Sequence, residues 1–187
     1  MISLLFIRHG ATRGNLEKRY IGRSDEPLCD VGISQVLKLK EQNFRADYLF
    51  VSPMLRTCQT AELLFPKMQY TIVDNFVETD FGIFEGKNFS ELSGNEEYQR
   101  WVDSGCVAPI PQGESVMDFK MRCVKAFAEV MKTIPDNSNV AFVVHGGVIM
   151  AILEAYAKPS CGFYDYHIGN GEYIVCEFEN LYIKLHN

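Results

Sequence analysis

Ile2-Ser3-Leu4-Leu5-Phe6-Ile7 runs straight into Arg8-His9-Gly10, and Val140-Ala141-Phe142-Val143-Val144 runs in the same way into His145-Gly146-Gly147. A short, nearly continuous apolar run closed by glycine reads as a strand covered on both faces, the condition of a parallel sheet under helices. Working outward, Tyr48-Leu49-Phe50-Val51 repeats the pattern and stops at Ser52-Pro53, and Tyr70 to Val73 gives another short strand. Between these lie helical periods. Asp30 is expected to N-cap a helix whose stripe is Ile33, Val36, Leu37 and Leu39. Leu55 to Phe65 forms the next, ended by Pro66. Glu114 to Ile134 carries Val116, Phe119, Cys123, Phe127, Val130 and Met131 on one face, and Val148 to Tyr156 forms the last. Met121, Met131 and Met150 are assigned to core stripes. Glu172–Phe178 and Leu181–Leu185, joined at Glu179-Asn180, read as an antiparallel hairpin at a sheet edge. Strands alternating with helices predict an α/β fold, a three-layer sandwich with a mostly parallel central sheet and helices on both faces. Residues 78–112, rich in Gly, Glu, Ser and aromatics, predict a small insertion lobe lying over the sheet as a lid, with a short helix near Glu96–Val102.

At 187 residues the chain reads as a single domain, 1–187, with that lid. A chain of this size buries about 70% of its unfolded surface, so no disulfide or metal staple is needed. With 18 Lys+Arg against 24 Asp+Glu the net charge is −6, which argues against a nucleic-acid partner. An anionic substrate would therefore need local cations to overcome an unfavourable global field. The opening apolar run is too short to span a membrane and lacks a secretory leader's basic start and cleavage site. Cys29, Cys58, Cys106, Cys123, Cys161 and Cys176 are dispersed without a CxxC pair, and no Cys or His residues share metal-ligand spacing. The expectation is a cytoplasmic protein with free thiols, no metal, no cofactor and no membrane partner. The closing hairpin offers an edge that could pair with a second copy, a route to a homodimer.

Chemistry collects where strands end. In an open parallel sheet the carboxyl ends of the strands share one edge, where ligand crevices form. Arg8, His9, Arg56 and His145 are all placed there. Guanidinium forks match tetrahedral phosphoryl oxygens and stay charged, while imidazole can act as nucleophile or base near neutrality. No P-loop GxxxxGK[ST] is present, so no nucleotide cradle of that kind is indicated.

The motifs also carry a resemblance. Arg8-His9-Gly10 with Thr12 and Asn15 is followed in order by Gly22-x-x-Asp25-x-Pro27-Leu28 and Gly32-x-x-Gln35. Then come Ser52-Pro53-x-x-Arg56-x-x-Gln59-Thr60-Ala61, Glu78-x-x-Phe81-Gly82-x-Phe84-Glu85-Gly86, Gly113-Glu114-Ser115 and His145-Gly146-Gly147. This set resembles the histidine phosphatase superfamily, the phosphoglycerate mutase-like proteins, over most of the chain. The resemblance implies a metal-independent phosphomonoesterase acting on a small phosphorylated metabolite. His9 would be the nucleophile that becomes phosphohistidine, and Arg8 and Arg56 would grip phosphoryl oxygens. His145 would complete the pocket, and Glu78 would protonate the leaving oxygen and then activate water. Gly10, Thr12, Asn15, Gly146 and Arg23 are assigned to substrate binding. Ala11, where relatives often carry Glu or Gln, Phe84 in place of Trp, and Val36 in place of Ala are departures that remove no catalytic member.

Within the superfamily, the chain is short for the mutase branch, whose middle insertion is longer. The acid phosphatase and phytase branch carries Arg where this chain has Thr12. The Glu78–Gly86 segment with Phe89 and Leu92 is most similar to the alpha-ribazole phosphatases, which makes alpha-ribazole 5′-phosphate the expected substrate. Phosphoglycerate mutase-type transfer, or phospho-ligand binding without turnover, are the alternatives. Arg13, Arg19 and Arg23 are read equally as steering groups or solvated surface. Glu85 is read either as an aid to Glu78 or as a brace for its own turn. Phe81, Phe84, Phe89, Tyr98 and Trp101 either line the substrate lid or simply pack that lobe. Asp165-Tyr166-His167 is read as a capped loop and His186 as surface.

Overall fold

The computed structural model describes residues 1–185, and His186 lies outside them. Strands β1 (Ile2–Arg8), β2 (Tyr48–Val51), β3 (Thr71–Ile72), β4 (Asn139–Val144), β5 (Tyr173–Glu179) and β6 (Tyr182–Leu185) form one sheet in the order β3-β2-β4-β1-β5-β6. The pairs β1–β4, β2–β4 and β2–β3 are parallel, whereas β5 runs antiparallel to both β1 and β6. Helices α1 (Arg13–Leu16), α2 (Asp30–Lys40), α3 (Leu55–Leu64), α4 (Glu96–Asp103), α5 (Val116–Met131) and α6 (Gly146–Tyr156) complete the chain.

The unbroken apolar runs have the predicted cause. Leu4 and Phe6 of β1 join Phe142, Phe127 and Ile152 in one core, on the side of α5 and α6. Leu5 and Ile7, pointing the opposite way, join Val36, Val51 and Val143 in a second core under α2 and α3. The sheet is thus the middle of three layers. A third, separate cluster of Phe84, Leu92, Trp101 and Ile110 holds together the lobe at 78–112.

Several local expectations are corrected. Cys29, not Asp30, is the N-cap of α2, and Asp30 is its first residue. The inward face of α2 is Gly32, Val36 and Leu39, whereas Ile33 and Leu37 are exposed. Gly32 explains the rotation: a Cβ there would lie 2.0 Å from the carbonyl oxygen of Ala11, so α2 presses its glycine against the loop that follows β1. Ala11 is consequently buried and not at a pocket rim. The long helix begins at Val116, because Ser115 accepts the Asp118 N–H and caps it. Met121 faces solvent at 56% exposure instead of joining a core stripe. The hairpin turns at Asn180-Leu181, both with positive φ, one residue later than expected.

Candidate active site

Parallel register brings the two histidines together. Arg8 pairs with Val144 across β1 and β4, so His9 and His145 leave the same sheet edge side by side. The His9 N–H donates to Val144 O, and the Ser52 N–H, one strand over, donates to Val143 O. The His9 and His145 rings stand edge to face with centroids 5.1 Å apart, both buried. His9 Nδ1 lies 2.7 Å from the Gly10 carbonyl, which can only accept, so Nδ1 carries the proton and Nε2 carries the free lone pair.

Burial, with the charge of Arg56 next in size and that of Arg8 behind it, holds His9 well below the ordinary imidazole value despite the bond to Gly10. Burial and then Arg56 do the same for His145, with smaller contributions from His9 and Arg8. Both rings are therefore neutral near pH 7. The mutual electrostatic reach of these groups shows that His9, His145, Arg8 and Arg56 share one pocket.

Each arginine is held by main-chain carbonyls. Arg8 Nη1 donates to Ile168 O at 2.6 Å. Arg56, on the first turn of α3, donates through Nη1 to Ser24 O and through Nη2 to Gly22 O, at 2.8 and 2.9 Å. Nε of each has no partner, and neither arginine forms an ion pair among the described residues. Burial lowers the proton affinity of both guanidinium groups, offset first by the charge of Glu78, yet arginine remains cationic at any relevant pH. Two buried cations without counterions make a site that favours an anion.

Glu78 sits at the start of α6. The Gly147 N–H donates to its Oε2 at 3.0 Å and the Thr79 N–H to its Oε1 at 2.9 Å. A Cβ on Gly147 would fall 2.3 Å from Oε1, so the carboxylate needs glycine there. Glu78 and Arg8 lie on the wall of a cavity of about 330 Å³ whose other walls are largely aromatic: Tyr20, Phe81, Trp101, Phe119, Phe163 and Tyr164. Arg8, Tyr20 and His167 also border an adjoining cleft with Asn15 and Lys18. A wider depression, lined by Phe44 to Asp47 and Phe65 to Met68, is bordered by none of these groups and lies at the opposite end of the sheet, where Asp47 meets Asn139.

The remaining predicted residues take different positions. Asn15 Oδ1 accepts from Thr12 N and from Asn170 Nδ2, which turns its own amide nitrogen away from those bonds. Thr12 is fully buried, and its hydroxyl caps α1 by accepting the Asn15 N–H, so it shapes Asn15 instead of lining the cavity. Gly10 donates to Thr60 Oγ1 and accepts from His9, which uses both its polar groups within the protein. Gly146 lines the cavity against the Arg8 guanidinium. Arg23 is exposed and borders neither cavity, although its neighbours Gly22 and Ser24 hold Arg56. Asp165 accepts the Gly162 N–H, the capped loop expected there.

Sequence reasoning did not find four supports. Ser52 Oγ lies 2.7 Å from His145 Nε2. Asn170 Nδ2 donates to His9 O as well as to Asn15. Arg122, paired with Glu114, donates to the carbonyls of Asn75, Val77 and Glu78 and so fixes the main chain beneath the carboxylate. Glu85 accepts from Gly22 N and Ser24 N, bracing the loop that grips Arg56 and not its own turn. The Gly113-Glu114-Ser115 and Phe84-Glu85-Gly86 blocks were the available signals for two of these. Among the described residues no group of three or more His, Cys, Asp or Glu is arranged to hold a metal ion. None of the six cysteines is in a disulfide, and no helix among those residues is long and apolar enough to cross a membrane.

Comparison with known proteins accords with this geometry. The family model described as histidine phosphatase superfamily (branch 1) matches residues 4–186. A Proteus mirabilis protein named as a probable phosphoglycerate mutase is 30% identical over 159 residues, 82% of this chain and 74% of that one. Among solved structures, the alpha-ribazole phosphatase from Shigella flexneri superposes with a TM-score of 0.87 at 23% identity, covering 98% of this chain and 94% of that one. A phosphoserine phosphatase mutant from Entamoeba histolytica, solved with phosphoserine, gives 0.83 at 22%, covering 100% and 96%. At those identities the structures establish a shared fold.

Proposed function

The chain belongs to the histidine phosphatase superfamily, whose members are phosphatases or mutases, and on that premise we propose that it is a phosphomonoesterase working through a phosphohistidine. His9 Nε2 attacks phosphorus while the ester oxygen departs as the alcohol, taking a proton from Glu78. Glu78 then removes a proton from water, whose oxygen attacks phosphorus; the P–N bond breaks and inorganic phosphate leaves with His9 restored. Arg8 and Arg56 offset the charge on the equatorial oxygens, the main demand of phosphoryl transfer.

One observation carries the choice of hydrolase: the cavity shared by Glu78 and Arg8 is walled by aromatic rings. Glu78 marks the leaving-group side, so the alcohol enters an apolar, ring-lined space suited to a flat uncharged group. The glycerate of a mutase would instead bring a carboxylate needing its own cation. The shared fold with an alpha-ribazole phosphatase supports alpha-ribazole 5′-phosphate as substrate. The relative named as a mutase supplies the competing reading. Incubation with alpha-ribazole 5′-phosphate and with a phosphoglycerate separates them. Inorganic phosphate released from the former is expected; positional isomerisation of the latter without release would overturn the proposal.

A further inference from the structure

We infer that Ser52 is a positioning residue whose hydroxyl donates to His145 Nε2, and so sets the tautomer in which Nδ1–H faces the phosphoryl group. The inference rests on the phosphoryl-binding reading of the pocket. Ser52 and His145 are both fully buried, and 2.7 Å separates Oγ from Nε2. The other ring nitrogen, Nδ1, is buried and has no partner. With Nε2 committed to Ser52, any hydrogen bond from this ring to a ligand must use Nδ1. A phosphoryl oxygen at neutral pH only accepts, so Nδ1 must hold the proton of a neutral ring, and Nε2 must then accept. Serine can serve as that donor because its hydroxyl rotates freely. In water the proton of a neutral histidine prefers Nε2, which would turn a bare Nδ1 lone pair toward the anion. Ser52 reverses that preference. It acts on the second histidine as the Gly10 carbonyl acts on the first, and the two partners are opposite in kind. Gly10 accepts and fixes Nδ1–H on His9, freeing Nε2 to attack; Ser52 donates and fixes Nδ1–H on His145, making it a donor.

Nitrogen-15 NMR of the histidine side chains tests this on the wild-type protein, free and with orthovanadate. His145 should show a protonated Nδ1 and a bare Nε2 in both states. A protonated Nε2 would overturn the inference, whether or not vanadate binds. Ser52→Ala should then weaken vanadate inhibition roughly ten- to hundredfold, the cost of losing a hydrogen bond to a charged group. In a His145→Ala background the same change should cost nothing further, since Ser52 acts through that ring; equal costs in both backgrounds would mean a merely structural serine and would also overturn the inference. Failure of wild-type protein to bind vanadate at all would count against the phosphoryl pocket itself, while the tautomer of the free protein still decides the role of Ser52.

Discussion

Neutral imidazoles are the condition for His9 to attack, and burial beside Arg56 supplies it. The same burial has a price in acid. Unfolded, each ring takes a proton near pH 6.5; folded, it resists until well below that value. As pH falls under 6.5 the unfolded state binds more protons than the folded one. Stability is therefore full above that point and declines below it, by about 1.4 kcal/mol per pH unit for each ring. Thermal unfolding of ligand-free protein should be flat from pH 8 to 7 and fall toward pH 5, less steeply in His145→Ala. A melting temperature unchanged to pH 5 would contradict buried neutral rings. The proton duty of Glu78 is separable by leaving group. Glu78→Gln should cut kcat/KM on an alkyl phosphate by about 10²- to 10⁴-fold. An aryl phosphate, whose leaving oxygen needs little protonation, should lose far less; equal losses on both would reduce Glu78 to a positioning role.

Between residues, the elements do the placing. The glycine start of α6 seats Glu78, and that seat is tight enough to test. In Gly147→Ala the new Cβ would lie 2.3 Å from Glu78 Oε1 and 2.9 Å from Phe119 Cζ, so the carboxylate must move. A loss in kcat on alkyl phosphates on the order of a hundredfold, the usual cost of an ångström-scale misplacement, is expected without loss of folding by circular dichroism. Unchanged kcat would show that the carboxylate works from elsewhere. Elements were also where sequence reading had its clearest limits. Runs such as Ile2–Ile7 and Val140–Val144 were legible because burial on both faces leaves a pattern in the residues themselves. The rotation of α2 was not, because Ile33 and Leu37 fit an apolar stripe as well as Leu39 does. Only the contact between Gly32 and Ala11 decides which face turns inward. Met121 was misplaced for a similar reason, since α5 has more apolar residues than its buried face accepts. Arg122 and Glu85 act on main-chain carbonyls and amides far away in sequence, and such bonds leave no local periodicity to read.

For the whole molecule, the sheet order is what turns scattered motifs into one pocket. Placing β4 between β1 and β2 brings His9, Ser52 and His145 to one edge, and α3 adds Arg56 from the segment that follows β2. A chain with a net charge of −6 thereby concentrates two buried, unpaired arginines at a single point and covers them with an aromatic-lined lobe. The convergence was anticipated from the rule that parallel strands share a carboxyl edge, whereas the carbonyl cradle around Arg56 required coordinates. The assembled pocket makes one chemical claim above the others, that phosphorus passes through His9. Rapid-quench mass spectrometry under alkaline conditions, during turnover of a phosphomonoester, addresses it directly. The account predicts a single acid-labile phosphoryl group on the peptide bearing His9, absent from His9→Ala. Turnover with no phosphorylated peptide, or with phosphorus on a different residue, would contradict it.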